Sequence, residues 1–595
     1  MQEADEGKGF KSFKDLLKAS GASPSSTPED ENNDRGWTLE SEGEFVGSDT
    51  DQVEASNPDH AQADSSRERI DGRPAAFGDM ATGPPPYRDQ DSEEMQLLAS
   101  FRVRTFFPKD VLSELESLPE DPSSADFEGR RDLREQTIFT IDGADAKDYD
   151  DAISIEALDG GAVRIGVHIA DVAHYVRPGT VLDAEALARG TSVYLADQVV
   201  PMLPETLSNG LCSLVPDRPR LAYSVVMEFE ASGERRASEV HKSVIQSVKR
   251  CTYEGVQALL DGDSSEEAEE LLFLEEPLRL FERWTKTQQK LRDAKGSLRI
   301  NSRERKFVFD EKHEVSAIVD YPKYFSNTLI EETALAANQA VGDLFVERGL
   351  PTIYRVHPEK DPDEVEAVAK LLEQHNIRVP DKQRLTGRDI GRMIRAARNR
   401  PNAEALIGRI MGLVERAIYE VRDHEDVATH FGLARKAYLH FTSPIRRYPD
   451  LIVHRWLWAL ETRADEASVE LRADDFLEDL NHVASHCSQQ SEIAEMAETA
   501  IGDLKICQFM EPHIGERIDA RVHRVSRAGI EVHMQELNVY GFLPARSIGE
   551  RSELKGATLT IRAGRRSLSF TEGYPIAVRV KDVDFLRLQV ILELS

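Results

Sequence analysis

The sequence predicts a mixed α+β chain of several domains: a β-sheet core with surrounding helices, followed by a small C-terminal β-barrel of the OB type. Three observations predict it. Alternating apolar runs, TIFTIDG (137–143), DAISIEAL (151–158) and VRIGVHIADVA (163–173), follow one another early, and strand signals persist to about residue 230. Apolar residues at helical spacing dominate 253–297 and then, after a hairpin pattern at 306–319, roughly 324–348, 361–375, 386–424 and 448–510. Beyond 513, IDARVHRVS, GIEVHMQE, VYGFLP and YPIAVRVKDVDFLRLQVILEL alternate again, and about five short strands in about 80 residues fit a small barrel.

With 595 residues the chain is too long for one domain, and 40% hydrophobic with 30% charged residues fits globular units with sizeable cores. No run approaches the roughly 20 apolar residues of a membrane span, and MQEADEGKGFKSF has no apolar signal core. The four cysteines, Cys212, Cys251, Cys487 and Cys507, are sparse and lack CxxC spacing, which predicts reduced thiols and a cytoplasmic home. Net charge is −33, of which residues 1–97 hold about −14. Arg greatly outnumbers Lys, a bias that either adaptation to high salt or a GC-rich genome produces. An acidic exterior leaves room for a local basic channel, so the charge does not exclude a nucleic-acid substrate.

Residues 1–97 read as an acidic disordered segment, poor in aliphatic residues and ending in GPPPYRDQDSEE. Within it Phe10, Phe13, Leu16 and Leu17 recur at helical spacing, as in a docking helix for an unidentified partner or a transient helix with none. Order is expected from about Leu97.

IDGADAKDYDDA places Asp142, Asp148, Asp150 and Asp151 within ten residues, directly after a strand, with a fifth acid at Asp145. Four like charges this close repel unless a cation neutralises them. All-oxygen ligands favour Mg²⁺ or Mn²⁺, and two such ions about 3.5–4 Å apart suit phosphodiester hydrolysis. The Gly position breaks the EF-hand pattern, which leaves a solvated acidic turn as the alternative. A second signal is HFTSPIRRYPDLIVHR, where Arg446 and Arg447 follow a Ser-Pro turn at a helix start, a place that suits phosphate. The alternative there is a surface arginine pair.

Together these segments resemble the RNB family of exoribonucleases, of the ribonuclease R and ribonuclease II type. TIDGADAKDYDDAISI, the long run from VHIADVAHYV to LSNGLCSL, LIEETALAAN, HFGLARKAYLHFTSPIRRYPDL and AEMAETAIGD follow in family order over about 98–510. The resemblance divides the chain into residues 1–97, an RNB catalytic domain at 98–510 and an S1-type RNA-binding barrel at 511–595. It implies a metal site of Asp142, Asp148, Asp150 and Asp151, with Asp150 as the catalytic carboxylate and Arg446 as the arginine on the terminal phosphate. Tyr194, Tyr253, Glu332 and Glu498 match residues that contact the 3′-terminal nucleotides.

The implied activity is processive hydrolytic 3′→5′ degradation of single-stranded RNA to nucleoside 5′-monophosphates, by a cytoplasmic monomer without membrane contact. The rival is a catalytically inactive RNB-fold RNA-binding protein. Two departures bear on the choice. Ile300 in GSLRINS stands where the family often has a base-clamping Phe, and residues 1–97 lack the strand pattern of the family's cold-shock domains. Arg388, Arg392 and Arg395 share a helix face that reads chiefly as solvated, and His482, His486 and Cys487 lack the further ligands zinc needs.

Overall fold

The computed structural model describes residues 92–595, except 298–304, 381–384, 399, 401–402, 426–428, 431, 434 and 556–557. The helical pattern at 10–20 and Ile300 both lie outside the described residues.

The α+β expectation holds. Five strands form the central sheet, in the order Arg131–Asp132, Arg235–Gln246, Pro219–Phe229, Val163–Ala170, Asp151–Ala157. All but the first pair run antiparallel, with Asp151 opposite Ile169 and Val167 opposite Val225. Strand Val163–Ala170, flanked on both sides, is buried on almost its whole length, so its near-continuous apolar run is a core run. Helices Glu275–Lys295 and Phe325–Glu347 share one core with this sheet, through Phe281, Trp284, Leu329 and Val341. Phe139 meets Phe281 edge-on at 6.3 Å.

Two boundaries differ from expectation. A domain start at Leu97 would cut through a helix, Glu93–Ser100, whose Ser92 side chain caps it by accepting from the Met95 backbone. Met95 and Leu98 pack against Ala494, Ala497, Ile501 and Leu504 of the long helix Asp474–Met510, and buried Lys505 donates to buried Glu94 at 3.0 Å. Eight residues in an acidic stretch give too short a pattern to stand out. The helical reading of 386–424 also fails at its end. Ile418–Arg422 is a strand, antiparallel to Thr352–Val356, while helices Gly387–Ala397 and Ala403–Met411 pack with Pro362–Gln374 in a small separate core.

Removing residues 1–91 is therefore expected to leave the melting temperature unchanged, whereas removal through Ser100 strips the apolar cover from Ile501 and leaves Lys505 without Glu94. A fall of several degrees in thermal unfolding should appear only in the second truncation. An equal fall in both would place a structural role in residues 1–91.

The long helix ends at Met510, and a closed five-stranded barrel follows from Arg517. Its strands alternate, with bulges after Val522 and Val580, and put Ile518, Val522, Ile530, Val532, Val578, Val580 and Leu592 inside. A three-stranded sheet, Arg551–Thr571, is inserted between the third and fourth barrel strands and has no counterpart in the sequence reading. No described helix is long and apolar enough to cross a membrane.

Candidate active site

The acidic loop leaves one strand and enters another. Thr140–Asp142 pairs in parallel with Arg250–Thr252, so Asp142 sits opposite Thr252 at the strand end. Asp151 opens the edge strand of the central sheet. Between them the backbone is pinned. Arg250 donates through Nη2 to the carbonyls of Gly143 and Ala144, and its guanidinium lies 5.8 Å from the Tyr149 ring. Ser213 Oγ donates to the Lys147 carbonyl at 2.9 Å and accepts from the Tyr149 N–H at 3.0 Å. The Asp150 carbonyl accepts from the Ala170 N–H.

The arginine turn is held as firmly. Helix Phe325–Glu347 presses against the backbone of Ala437, where a Cβ on Gly342 would lie 1.9 Å from the carbonyl oxygen. Asn338 of that helix accepts from the Phe441 N–H at 2.9 Å. Asp450, fully buried, accepts from the Ser443 N–H at 2.8 Å and takes both ends of the Arg447 guanidinium at 2.9 and 2.7 Å. Arg447 is thereby a structural clamp. Arg446 is left with its side chain 41% exposed, and its backbone carbonyl accepts from the Ser192 N–H.

The two segments meet at Asp150. Its Oδ1 accepts from the Ile445 N–H at 2.9 Å, and its Oδ2 lies 3.6 Å from Arg446 Nε. Burial pushes the Asp142 carboxyl up to about 7, reinforced by the charge of Asp151, and pushes Asp151 up to about 6 against the pull of Arg446 and Arg447. Burial also raises Asp148, and raises Asp150 well above the carboxylate range despite Arg446 and the Ile445 N–H. In kind the donors fit a hard divalent ion: all are carboxylates, and Asp142 Oδ2 is buried without a hydrogen-bond partner. Among the described residues, however, no three His, Cys, Asp or Glu side chains stand together as a ready metal shell. Buried like charges repel, so closing such a shell around an ion requires side-chain rotation.

Tyr194 lies beside this cluster, 39% exposed, with its ring 6.0 Å from the Arg446 guanidinium and its N–H donated to Glu498 at 2.9 Å. Glu498 thus positions Tyr194 from the long helix. Tyr253 opens a helix directly after the strand paired with Asp142; burial and the charges of Asp151 and Asp142 raise its phenol. Asp145 faces solvent near Lys306.

Glu332 departs from expectation. It is fully buried in helix Phe325–Glu347, 3.2 Å from Arg292 and 4.0 Å from Arg435, so it is a core ion-pair partner closed to a nucleotide. A carboxylate on a largely buried helix costs too much unless it is paired, and here the arginines come from two distant segments. The remaining minor candidates are structural or solvated. His486 bonds the Leu187 carbonyl, Cys487 is buried, and Arg388 and Arg392 bond the Ala294 carbonyl and Asp389 on an exposed face. Sequence reasoning missed Arg250, Ser213 and Asp450. Only Asp450, three residues after Arg447 on a helix, left a readable i,i+3 signal.

A model of the RNB domain matches residues 130–463. Ribonuclease R of Thermotoga maritima is 38% identical over 442 residues, which is 73% of this chain and 61% of that protein. Ribonuclease R of Escherichia coli is 33% identical over 458 residues, 76% of this chain and 55% of that protein. The chain spans less than two thirds of the length of these two relatives. Among solved structures, Mycoplasma genitalium RNase R in complex with ribose methylated single-stranded RNA superposes with a TM-score of 0.74 at 24% identity, covering 84% of this chain and 77% of that one. Yeast Ssd1, described as a pseudonuclease, superposes with a TM-score of 0.60 at 17% identity, covering 80% and 58%. The matched family model covers the sheet, the acidic loop and the arginine turn alike, and this chain belongs to the RNB domain family.

Proposed function

We propose that this chain is a processive 3′→5′ exoribonuclease that hydrolyses single-stranded RNA to nucleoside 5′-monophosphates. One observation carries the reading: a loop of four aspartates, whose carboxyls burial raises and of which Asp150 is the most enclosed, meets an arginine turn 295 residues away through the Ile445 N–H and the Arg446 guanidinium. Such a cluster is costly to fold around unless divalent cations complete it.

Asp142, Asp148, Asp150 and Asp151 are the residues to hold Mg²⁺ or Mn²⁺. When bound, a pair of such ions supplies an activated water and charge stabilisation at the leaving oxygen. The protein does the rest. Arg446, exposed and anchored by its own carbonyl, offers its guanidinium to the phosphate and to the charge that develops there. Tyr194, held out by Glu498, offers a face for a terminal base, a contact that tolerates any sequence. The barrel, with His533 stacked on Tyr540 at 4.4 Å, offers an aromatic surface for incoming strand. We place this activity in the cytoplasm, in a monomer.

The second reading is an RNA-binding protein without cleavage. The lack of a ready three-ligand shell among the described residues and the shared fold of a pseudonuclease favour it. A 5′-end-labelled single-stranded oligonucleotide incubated with Mg²⁺ or with EDTA separates the two. Stepwise shortening that stops with EDTA supports hydrolysis; stable binding with no shortening in either Mg²⁺ or Mn²⁺ sinks it.

A pH dependence follows from the raised carboxyls. Asp142 and Asp151 hold protons in the fold that the unfolded chain has lost, so they make the metal-free protein less stable as pH rises from about 4 through about 7. A cation binds the ionised forms and releases those protons. The gain in melting temperature from Mg²⁺ over EDTA should therefore be small at pH 5.5 and grow toward pH 8. Equal gains at both would remove these two carboxyls from the metal site.

A further inference from the structure

A cavity of about 810 Å³ lies away from the acidic cluster, between the turn 172–174, the second half of helix Tyr448–Thr462 and the start of helix Asp474–Met510. Neither the four aspartates nor Arg446 line it. Its size is that of a small-molecule pocket, for which about 300–1,000 Å³ is usual.

Three kinds of group face this space. The first is aromatic. Trp458 is 42% exposed, and Trp456 meets Phe476 edge-on at 4.7 Å to close an apolar wall. The second is cationic and partly dry. Lys242, with its side chain 8% exposed, lies 4.4 Å from the Trp458 ring centre and 2.9 Å from Asp171. Asp171 also holds Arg130 at 2.7 Å, so two cations share one buried carboxylate. Arg177 stands exposed at the rim, with its Nε donated only to a carbonyl, that of His174. Arg455 bonds Asp183 through Nη2, while its Nε is buried without a hydrogen-bond partner. The third is acidic: Asp475 and Asp479 line the cavity from the long helix.

No simpler ligand uses all three. An inorganic anion leaves the tryptophans idle, and an apolar molecule makes no use of the charged walls. A nucleotide has a planar ring, an anion and hydrogen-bond donors in one molecule. We infer that this cavity is a nucleotide site that takes a nucleoside monophosphate, with its base on Trp458, its phosphate toward Lys242 and Arg177, and its ribose hydroxyls or exocyclic amine toward the carboxylates of Asp475 and Asp479. Nucleoside monophosphates are the product class of the proposed hydrolysis, but binding here does not depend on that activity.

Two of the four tryptophans in the chain, Trp456 and Trp458, line the cavity, so intrinsic fluorescence reports its occupancy. UMP and AMP are titrated into the full chain in EDTA, which removes metal-mediated phosphate binding at the acidic cluster, with calorimetry in parallel. The expected result is saturable binding, weakened about tenfold or more by Trp458→Ala, as for a lost base–aromatic stack. Arg177→Glu, at an exposed position, should weaken the nucleotides but not uridine or adenosine. Asp150→Asn should bind as the parent does. Melting curves check that each variant is folded. The inference is overturned by the absence of saturation up to about 5 mM, by affinities that neither cavity substitution changes, or by binding lost in Asp150→Asn. Because no step is catalytic, an inactive chain that still binds UMP through Trp458 would defeat the exonuclease reading and leave this one standing.

Discussion

Asp150→Asn is expected to leave RNA bound and uncut. The carboxylate is 5% exposed and already engaged at both oxygens, with the Ile445 N–H at 2.9 Å and the Arg446 Nε at 3.6 Å. Asparagine keeps the shape, and its amide oxygen can still accept from Ile445, so the arginine turn should stay in place. What disappears is the negative charge, and with it the ligand that the proposed reading assigns to the metals and the reaction. Loss of a group that acts within a catalytic unit typically lowers turnover about 10⁴-fold or more. Initial rates on a labelled single strand in Mg²⁺, beside affinity measured in EDTA, give the two readouts. Near-normal turnover with Asn at this position would take catalysis away from Asp150. A folded variant that has lost RNA affinity as well would recast the residue as a binding group.

Arg446→Ala and Arg447→Ala should fail in different ways, although the residues are neighbours. Arg446 is half exposed and touches Asp150. Its removal should lower kcat by about 10²-fold, in keeping with loss of a charge partner in the transition state, while the melting temperature holds. Arg447 is partly buried and bidentate on Asp450, whose side chain is fully buried. Alanine there leaves an unpaired interior carboxylate, which costs about 3–5 kcal/mol. Melting should drop by roughly 5 °C or more, with activity loss following from the fold. If Arg446→Ala also melts early, or Arg447→Ala melts normally and loses turnover, the division of labour drawn from the geometry is wrong.

Much of the architecture is legible because periodicity reports burial. Val163–Ala170 reads as a core strand, the barrel strands alternate as their inner and outer faces require, and the helices at 325–347 and 474–510 carry their apolar residues at helical spacing. The crowding of four aspartates at a strand end is equally plain, since like charges so close call for a counter-ion wherever the chain goes. Within that local reach, Asp142, Asp148, Asp150 and Asp151 needed no structure to be singled out. Ile418–Arg422 shows the limit: five residues support helix or strand alike, and pairing with Thr352–Val356 makes the choice.

What the tertiary structure alone decided are the partnerships. The sequence marks Arg446 and Arg447 equally; only the buried Asp450 assigns one to the scaffold and frees the other for Asp150, 295 residues before Ile445. Glu332 carries the same family likeness as Glu498, yet one closes into the core between Arg292 and Arg435 while the other reaches the backbone of Tyr194. The loop's anchors, Arg250 and Ser213, stand in no pattern with the aspartates they hold. The physical reason is common to all three cases. Spacing along a chain encodes which face is buried, a property of neighbours. Which charge meets which depends on where distant segments return, and burial lets only the paired arrangement survive.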